Sequence, residues 1–371
     1  MRILIVFTYN YSLKTWLDSN VLHRELSIYK RINSLNESKF ILLTYGDKSD
    51  LEINIDKEIF DVVPVYKYLK YNSNKFIRFI SSFLIPFKLK KQLKDVSIIK
   101  QHQILGIWVS VILKKVLKKP LFVRTGYDMY KFSLKDNKKY IVKTFYKFLN
   151  FLGYRFGDLY TVSNEEDYQD LKQKFENSSK FIKRPNWILQ NNISLFENRY
   201  HNKVLFVGRL EEQKNVRELL YNFSGTNFEI VIYGEGSLKK DLIKFSKENN
   251  VNVDFKEALP NDQLGLVYNK FKFFVTTSLF EGNPKTVLEA MSNGCIVFAS
   301  DIPAHTELIS DLDTGIIFPL GNKNLYNIFS KIVEDKKLLL SISSNAINEI
   351  KNNFDLNIAA EKEIRDYKFL L

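Results

Sequence analysis

The 371 residues include a single cysteine, Cys295, which excludes a disulfide framework and any cluster of thiolate metal ligands. The four histidines (His23, His102, His201 and His305) stand too far apart for a zinc motif. Glycine (14) and proline (8) are scarce, which excludes collagen-like and low-complexity classes. Long apolar runs are also missing. The longest covers 104–113 and is interrupted by Ser110, whereas a spanning helix needs about 20 such residues. The apolar opening over 2–9 is too short for a signal core and lacks a small-residue cleavage site. These absences predict a soluble, cytoplasmic protein with no metal and no cofactor.

Acidic residues are few in one region. Over 66–156 there are 21 Lys and Arg against only Asp95, Asp128 and Asp136, while the whole chain carries a net +13. The remainder is therefore net acidic. An AT-rich coding bias would raise Asp and Glu together with Lys and Asn, so it does not account for the missing acids. A basic surface for a polyanion or an anionic membrane is the reading that remains. Within it, Lys75, Arg78, Lys88, Lys90, Lys91 and Lys94 interleave with Phe76, Ile77, Phe79, Ile80, Phe83, Leu84 and Phe87. That mixture suits a helix lying in an anionic interface. The competing reading is an amphipathic helix whose apolar face packs on a sheet.

What is present is a repeated strand–helix alternation. Apolar runs over 3–8, 40–44, 62–65, 96–99, 121–124 and 159–162 alternate with helical stretches over 19–32, 106–117 and 138–152. A second series of runs covers 204–207, 228–233, 251–255, 272–276 and 295–299. The runs are continuous instead of alternating, as in strands covered on both faces. This predicts an α/β protein with parallel sheets. The asparagine-rich stretch 190–202 reads as a linker between a domain over 1–190 and one over 200–354. The segment from about 355 to 371 is expected to pack back on the first. Ligand is expected in the cleft between them, beyond the carboxyl ends of the strands.

The most informative motif is Phe280-Glu281-Gly282-Asn283-Pro284-Lys285-Thr286-Val287-Leu288-Glu289-Ala290-Met291. A strand enters a tight turn, Pro284 opens a helix, and Gly294 follows its end as a C′ residue. N–H groups of Asn283, Lys285 and Thr286 at that helix start suit an anion. Glu281 and Glu289 offer acceptors to hydroxyls, so a ligand bearing both phosphates and hydroxyls, such as a nucleotide sugar, fits. The alternative leaves Glu281 as an electrostatic cap and Glu289 as an i,i+4 partner of Lys285, worth at most about 0.5 kcal/mol. A second loop, Gly208-Arg209-Leu210-Glu211-Glu212-Gln213-Lys214-Asn215, follows a strand and places an Arg and a Lys where both can meet one diphosphate. Gly234-Glu235-Gly236 is a common α/β turn. Asp311-Leu312-Asp313 has the spelling of a metal-binding D-x-D, but it follows a helix and reads as a surface loop.

These motifs, with Asp301-Ile302-Pro303, Glu307-Leu308-Ile309 and Gly315-Ile316-Ile317, resemble the group 1 glycosyltransferases, retaining enzymes of the GT-B fold. Looser matches in the first half are Arg124-Thr125-Gly126-Tyr127-Asp128, Thr161-Val162-Ser163 and Pro185-Asn186. The resemblance implies two Rossmann-like domains with parallel sheets facing a central cleft. It assigns Arg209 and Lys214 to the donor diphosphate, Glu281 to sugar hydroxyls and Glu289 to ribose. Gly208, Gly234, Gly282, Asn283, Pro284, Lys285 and Thr286 would line the donor, with Arg209, Lys214 and Glu281 in the catalytic step. It also implies that His102, ending Ile98-Ile99-Lys100-Gln101-His102, lies near the transferred sugar; a structural histidine is the equal alternative. One departure is the loop 9–16. Where relatives carry glycines it reads Tyr9-Asn10-Tyr11-Ser12-Leu13-Lys14-Thr15-Trp16, whose aromatics are candidates to stack on a sugar ring.

The implied activity is metal-independent, retaining transfer from a UDP or GDP sugar to a glycan or lipid-linked acceptor in cell-surface polysaccharide synthesis. The enzyme would sit peripherally on the inner face of the plasma membrane and bind no nucleic acid. Two competing readings are a basic nucleic-acid-binding protein and a catalytically silent nucleotide-sugar-binding subunit.

Overall fold

The computed structural model describes residues 1–176, 178–189 and 193–371, with Asp262 described by its backbone alone. Two compact units emerge, one of residues 1–185 and 357–371 and one of residues 186–356. Residues 190–192 of the expected linker lie outside the described residues, and Tyr200 already begins a strand.

The first unit holds seven parallel strands: β1 (Arg2–Val6), β2 (Lys39–Thr44), β3 (Phe60–Pro64), β4 (Ile98–His102), β5 (Leu121–Arg124), β6 (Leu159–Val162) and β7 (Phe181–Lys183). Their order is β3-β2-β1-β4-β5-β6-β7. The second unit has six: β8 (Tyr200–Val207), β9 (Glu229–Tyr233), β10 (Val253–Lys256), β11 (Phe271–Thr276), β12 (Ile296–Ser300) and β13 (Ile316–Phe318), ordered β10-β9-β8-β11-β12-β13. Both orders are the doubly wound 3-2-1-4-5-6 pattern, which reverses between the first and fourth strand. Ligands in such sheets collect at that reversal. The loops after β1 and β4, and those after β8 and β11, are therefore the places to look.

The continuous apolar runs have the expected cause. Along β8, Val204 and Phe206 enter one buried cluster with Phe223, Phe273, Phe298 and Phe329, while Leu205 and Val207 enter another with Phe274, Val287 and Met291. Every residue of the strand end is needed inside, so alternation disappears.

Two segments depart from expectation. β4 begins at Ile98 instead of 96 and runs to His102, placing that histidine on the strand's last position. The basic stretch over 75–94 forms two short helices, Lys75–Ser82 and Ile85–Lys88. Phe79 and Phe83 meet Trp108 (ring centroids 5.1 and 6.4 Å) and Ile85 and Leu89 are buried, whereas Phe76, Ile77, Ile80, Leu84 and Phe87 remain exposed, Phe76 by 70%, and Phe83 keeps its outer edge exposed. The helix packs inward by a narrow stripe and leaves a wider apolar face outward.

The C-terminal helix Leu356–Leu370 joins the first unit through Lys100 and Glu363, both buried and ion-paired. Lys100 also lies over the rings of Tyr29 (4.8 Å), Phe122 (5.3 Å) and Tyr367 (5.9 Å). Burial alone would raise the Glu363 carboxyl, but the Lys100 charge holds it below its ordinary value. Arg184 adds a two-pronged bond to Asp366 (2.6 and 2.8 Å).

Candidate functional site

In the second unit the loops after β8 and β11 are tied together at the strand-order reversal. Thr277 Oγ1 donates to the carbonyls of Lys214 and Asn215 (both 3.0 Å), and the Leu279 N–H donates to the Gln213 carbonyl (2.8 Å). Across this seam Lys214 Nζ meets Glu281 Oε1 at 2.5 Å. The same carboxylate accepts from Ser278 Oγ (2.7 Å) and Gln213 Nε2 (3.3 Å). Arg209 is exposed at the edge, with Nη2 3.4 Å from Gln213 Oε1. Lys214, Glu281 and, through Gln213, Arg209 are thus brought together. The alternative of Glu281 as a plain helix cap is set aside, because its carboxylate faces the β8 loop.

Gly234 belongs to the same construction. The Gly208 N–H donates to the Tyr233 carbonyl and the Leu210 N–H to the Glu235 carbonyl (3.1 and 2.9 Å), so the loops after β8 and β9 run in contact. A Cβ on Gly234 would lie 1.9 Å from the Gly208 oxygen. The turn is glycine because two backbones touch there.

The helix after the turn spans Lys285–Ser292, with Pro284 at its N-cap, one position earlier than the first helical turn, and no side-chain cap. It ends in a full Schellman motif. Gly294 has φ +71°, its N–H donates to Met291 and that of Cys295 to Ala290. The i,i+4 alternative for Glu289 gives way to other partners: its carboxylate accepts from Asn261 Nδ2 (2.9 Å) and the Tyr268 hydroxyl (3.2 Å). Burial, then the Glu289 charge, pushes that hydroxyl well above its ordinary value, so it remains a donor. Asn283 is held by Asn186, whose N–H donates to Asn283 Oδ1 (2.9 Å) and whose Nδ2 donates to the Asn283 carbonyl (2.7 Å). Gly282 and Pro284 are buried, Thr286 is half-buried, and Lys285 Nζ lies 5.4 Å from the Trp187 ring.

A residue without a sequence signal stands behind this turn. His305 is buried; its Nδ1 lies 2.8 Å from the Ser300 carbonyl, and Ser300 Oγ donates to the Ser278 carbonyl (2.6 Å). Burial lowers its pKa and leaves the ring neutral. Gln213 and Ser300 likewise carry no chain-local mark; pairing of adjacent strand ends brings them to the turn, where Ser278 already stands three residues before Glu281.

In the first unit, His102 is buried at the end of β4. Its Nε2 lies 3.3 Å from Glu25 Oε2, its Nδ1 is buried without a partner, and its ring meets Trp16 edge-on at 5.2 Å. Burial lowers its pKa against the opposing pull of Glu25. The ring is neutral, with Nε2–H aimed at Glu25 and the Nδ1 lone pair free to accept.

The loop after β1 corrects the stacking expectation. Trp16 stacks on Phe7 (4.0 Å) and Tyr9 packs among Tyr45, Trp108 and Phe79, all inward. Only Tyr11 is exposed. The loop also begins a helix, Leu13–Asp18, with a capping box between Ser12 and Thr15. Asp50, itself buried, accepts from the N–H groups of Leu13 (3.2 Å) and Lys14 (3.1 Å) and from Thr44 Oγ1 (2.5 Å). An internal carboxylate thus satisfies the N–H groups at the start of this helix.

No group of three or more metal-ligating side chains occurs among the described residues. Asp311 accepts from the Ile317 N–H and Asp313 from Asn345, which explains that acidic pair locally. No helix among the described residues is long and apolar enough to cross a membrane.

Comparison with known proteins places these features. Residues 191–349 match the family model "Glycosyl transferases group 1". The chain is 27% identical over 320 residues to a Campylobacter jejuni N-acetylgalactosamine-N,N'-diacetylbacillosaminyl-diphospho-undecaprenol 4-alpha-N-acetylgalactosaminyltransferase, covering 79% of this chain and 82% of that one. It is 24% identical over 308 residues to an Escherichia coli UDP-Gal:alpha-D-GlcNAc-diphosphoundecaprenol alpha-1,3-galactosyltransferase, covering 76% and 77%. Among solved structures, sucrose-phosphate synthase from Thermosynechococcus elongatus superposes with a TM-score of 0.80 at 13% identity, over 100% of this chain and 99% of that one, a likeness of fold.

Proposed function

For a chain whose residues 191–349 match the group 1 glycosyltransferase model and whose fold is GT-B, we propose retaining, metal-independent transfer from a UDP or GDP sugar to a lipid-linked or glycan acceptor in polysaccharide biosynthesis. The observation that carries this reading is the seam after β8 and β11, where Arg209 and Lys214 stand beside the Glu281 carboxylate. Arg209 and Lys214 receive the diphosphate, Glu281 accepts from sugar hydroxyls, and Glu289, steadied by Asn261 and Tyr268, accepts from ribose. In the step, the bond from the sugar's anomeric carbon to the β-phosphate oxygen breaks and a bond to the acceptor oxygen forms on the same face. The acceptor's hydroxyl proton passes to the departing phosphate. Arg209, Lys214 and the start of helix Lys285–Ser292 stabilise the growing charge there, each good donor being worth about 3–4 kcal/mol of barrier. His102 offers a neutral hydrogen-bonding ring at the end of β4.

Support for a lipid-linked acceptor comes from the two named relatives, whose names give sugars linked to diphosphoundecaprenol, and from the exposed apolar face of Lys75–Ser82 with its basic surroundings. We place the enzyme peripherally at the cytoplasmic face of the membrane on that basis.

Thermal-shift titration with UDP, GDP and ADP and their sugar conjugates tests the donor site. A ligand at 100 times its Kd stabilises by about 2.7 kcal/mol. One responding nucleotide series, with the response lost in Arg209→Ala and Glu281→Ala, is the expected result. A shift with nucleic acid and none with any nucleotide sugar would overturn it.

A further inference from the structure

A cavity of about 700 Å³ lies within the first unit between the helices Met129–Lys135, Tyr140–Phe156 and Glu165–Lys174 and the ends of β5 and β6. That volume lies within the range of about 300–1,000 Å³ typical of small-molecule sites. Its inner wall is apolar, with Val162 and Leu171 buried and Phe175 half-buried.

Its charges fall into two sets. The carboxylates are taken internally: Asp128 caps the helix Met129–Lys135 and accepts from Asn150, while Asp167 and Asp170 hold Lys131 (2.7 and 2.5 Å). Lys147, Arg155, Lys174 and Lys180 have no carboxylate within ion-pair distance among the described residues. Lys147, Phe151 and Arg155 follow at i, i+4 and i+8, one stripe of the helix spanning about 12 Å along the cavity mouth. Phe151 is 56% exposed between the two cations. Lys180, half-buried, sits beside Arg155; burial and then that like charge lower its pKa. Four cations outside any ion pair, beside carboxylates engaged internally and an apolar wall, favour an anionic ligand with an apolar body.

We propose that this cavity binds the phosphate ester of a membrane amphiphile, the phosphate among Lys147, Arg155 and Lys174 and the chain along Phe151 and Leu171. The inference deepens the lipid-acceptor reading above and rests on it. A bulk anionic phospholipid and a phosphorylated polyprenol share this chemistry.

Titration calorimetry tests it on the full chain with monomeric dihexanoyl phosphatidylglycerol, dihexanoyl phosphatidylcholine, deacylated glycerophosphoglycerol and farnesyl phosphate. Saturable one-to-one binding of an anionic amphiphile is expected, weakened at least tenfold in Lys147→Glu/Arg155→Glu, with both substitutions on exposed positions. Tighter binding of farnesyl phosphate assigns the site to the carrier lipid, and tighter binding of phosphatidylglycerol to the bulk lipid. Equal binding by the variant, equal binding of the zwitterionic lipid or the bare head group, or no saturable binding would each overturn the proposal. The variant's nucleotide thermal shift, expected unchanged, separates failure of this cavity from failure of the donor-site reading.

Discussion

At the scale of single residues, the Lys214–Glu281 pair defines what an arriving diphosphate must displace. Both side chains are largely covered, at 14% and 9% exposed, so removing one leaves the other poorly solvated. Lys214→Met is expected to cost about 1–3 kcal/mol in urea unfolding and to abolish the nucleotide shift. Lys214→Met/Glu281→Met should recover the stability but not the shift, which separates packing from ligand binding. The buried histidines make a pH prediction. His102 and His305 both have pKa values below their ordinary 6.5, so the unfolded chain binds their protons first. Stability from them is complete above about pH 6.5 and falls as pH drops through that value. The urea midpoint should decline from pH 7 to 5.5, and less steeply in His102→Gln/His305→Gln. An equal slope in that variant would count against the assignment.

At the scale of elements, caps and close approaches decide which loops hold their shape. Gly294→Ala places a Cβ at φ +71° and 2.8 Å from Ser343 Oγ. A loss of about 1–2 kcal/mol is expected, read as a lower Tm. Asp50→Ala frees two N–H groups at the start of helix Leu13–Asp18 and leaves the buried Thr44 hydroxyl without its acceptor. A cost of about 1–2 kcal/mol follows from the lost cap. Much of this level was readable in the chain: Pro284 and Gly294 punctuate one helix, and Gly208 and Gly234 close two strands. The fate of Tyr9 and Trp16 was not, because an aromatic near a strand end is equally suited to a ligand or to a core. Here Phe7, Tyr45 and Trp108 lie beneath it and claim both rings.

At the scale of the whole molecule, two features join distant parts of the sequence or reach beyond the protein. Lys100 and Glu363 are 263 residues apart, yet they form a buried pair. Lys100→Met alone should cost about 3–5 kcal/mol in urea unfolding, whereas Lys100→Met/Glu363→Leu should be close to wild type. Flotation with vesicles tests the outward face of the helices Lys75–Ser82 and Ile85–Lys88. Recovery with anionic lipid should exceed that with neutral lipid and fall in Phe76→Ser/Phe87→Ser. Equal recovery from both vesicle types would remove the membrane reading. The charge excess behind this face was visible as a count of residues over 66–156. That the helix leaves its wider apolar side uncovered required the packing of Phe79 and Phe83 against Trp108.

By itself the sequence determined the α/β class, the parallel sheets and the resemblance to group 1 glycosyltransferases, because continuous β-branched runs, glycine turns and a proline-started helix are local properties written into consecutive residues. It also marked Arg209, Lys214, Glu281 and Glu289 as candidates, since each sits at a fixed distance from such punctuation. Tertiary structure alone decided their partners. Gln213 meets Glu281 because the strand order brings the loops after β8 and β11 together, Tyr268 meets Glu289 where two helices pack, and Glu25 of helix Leu22–Asn36 meets His102 at the end of β4. Hydrogen bonding and burial act through space at about 3 Å, and no spacing along the chain encodes that distance until the sheets have formed.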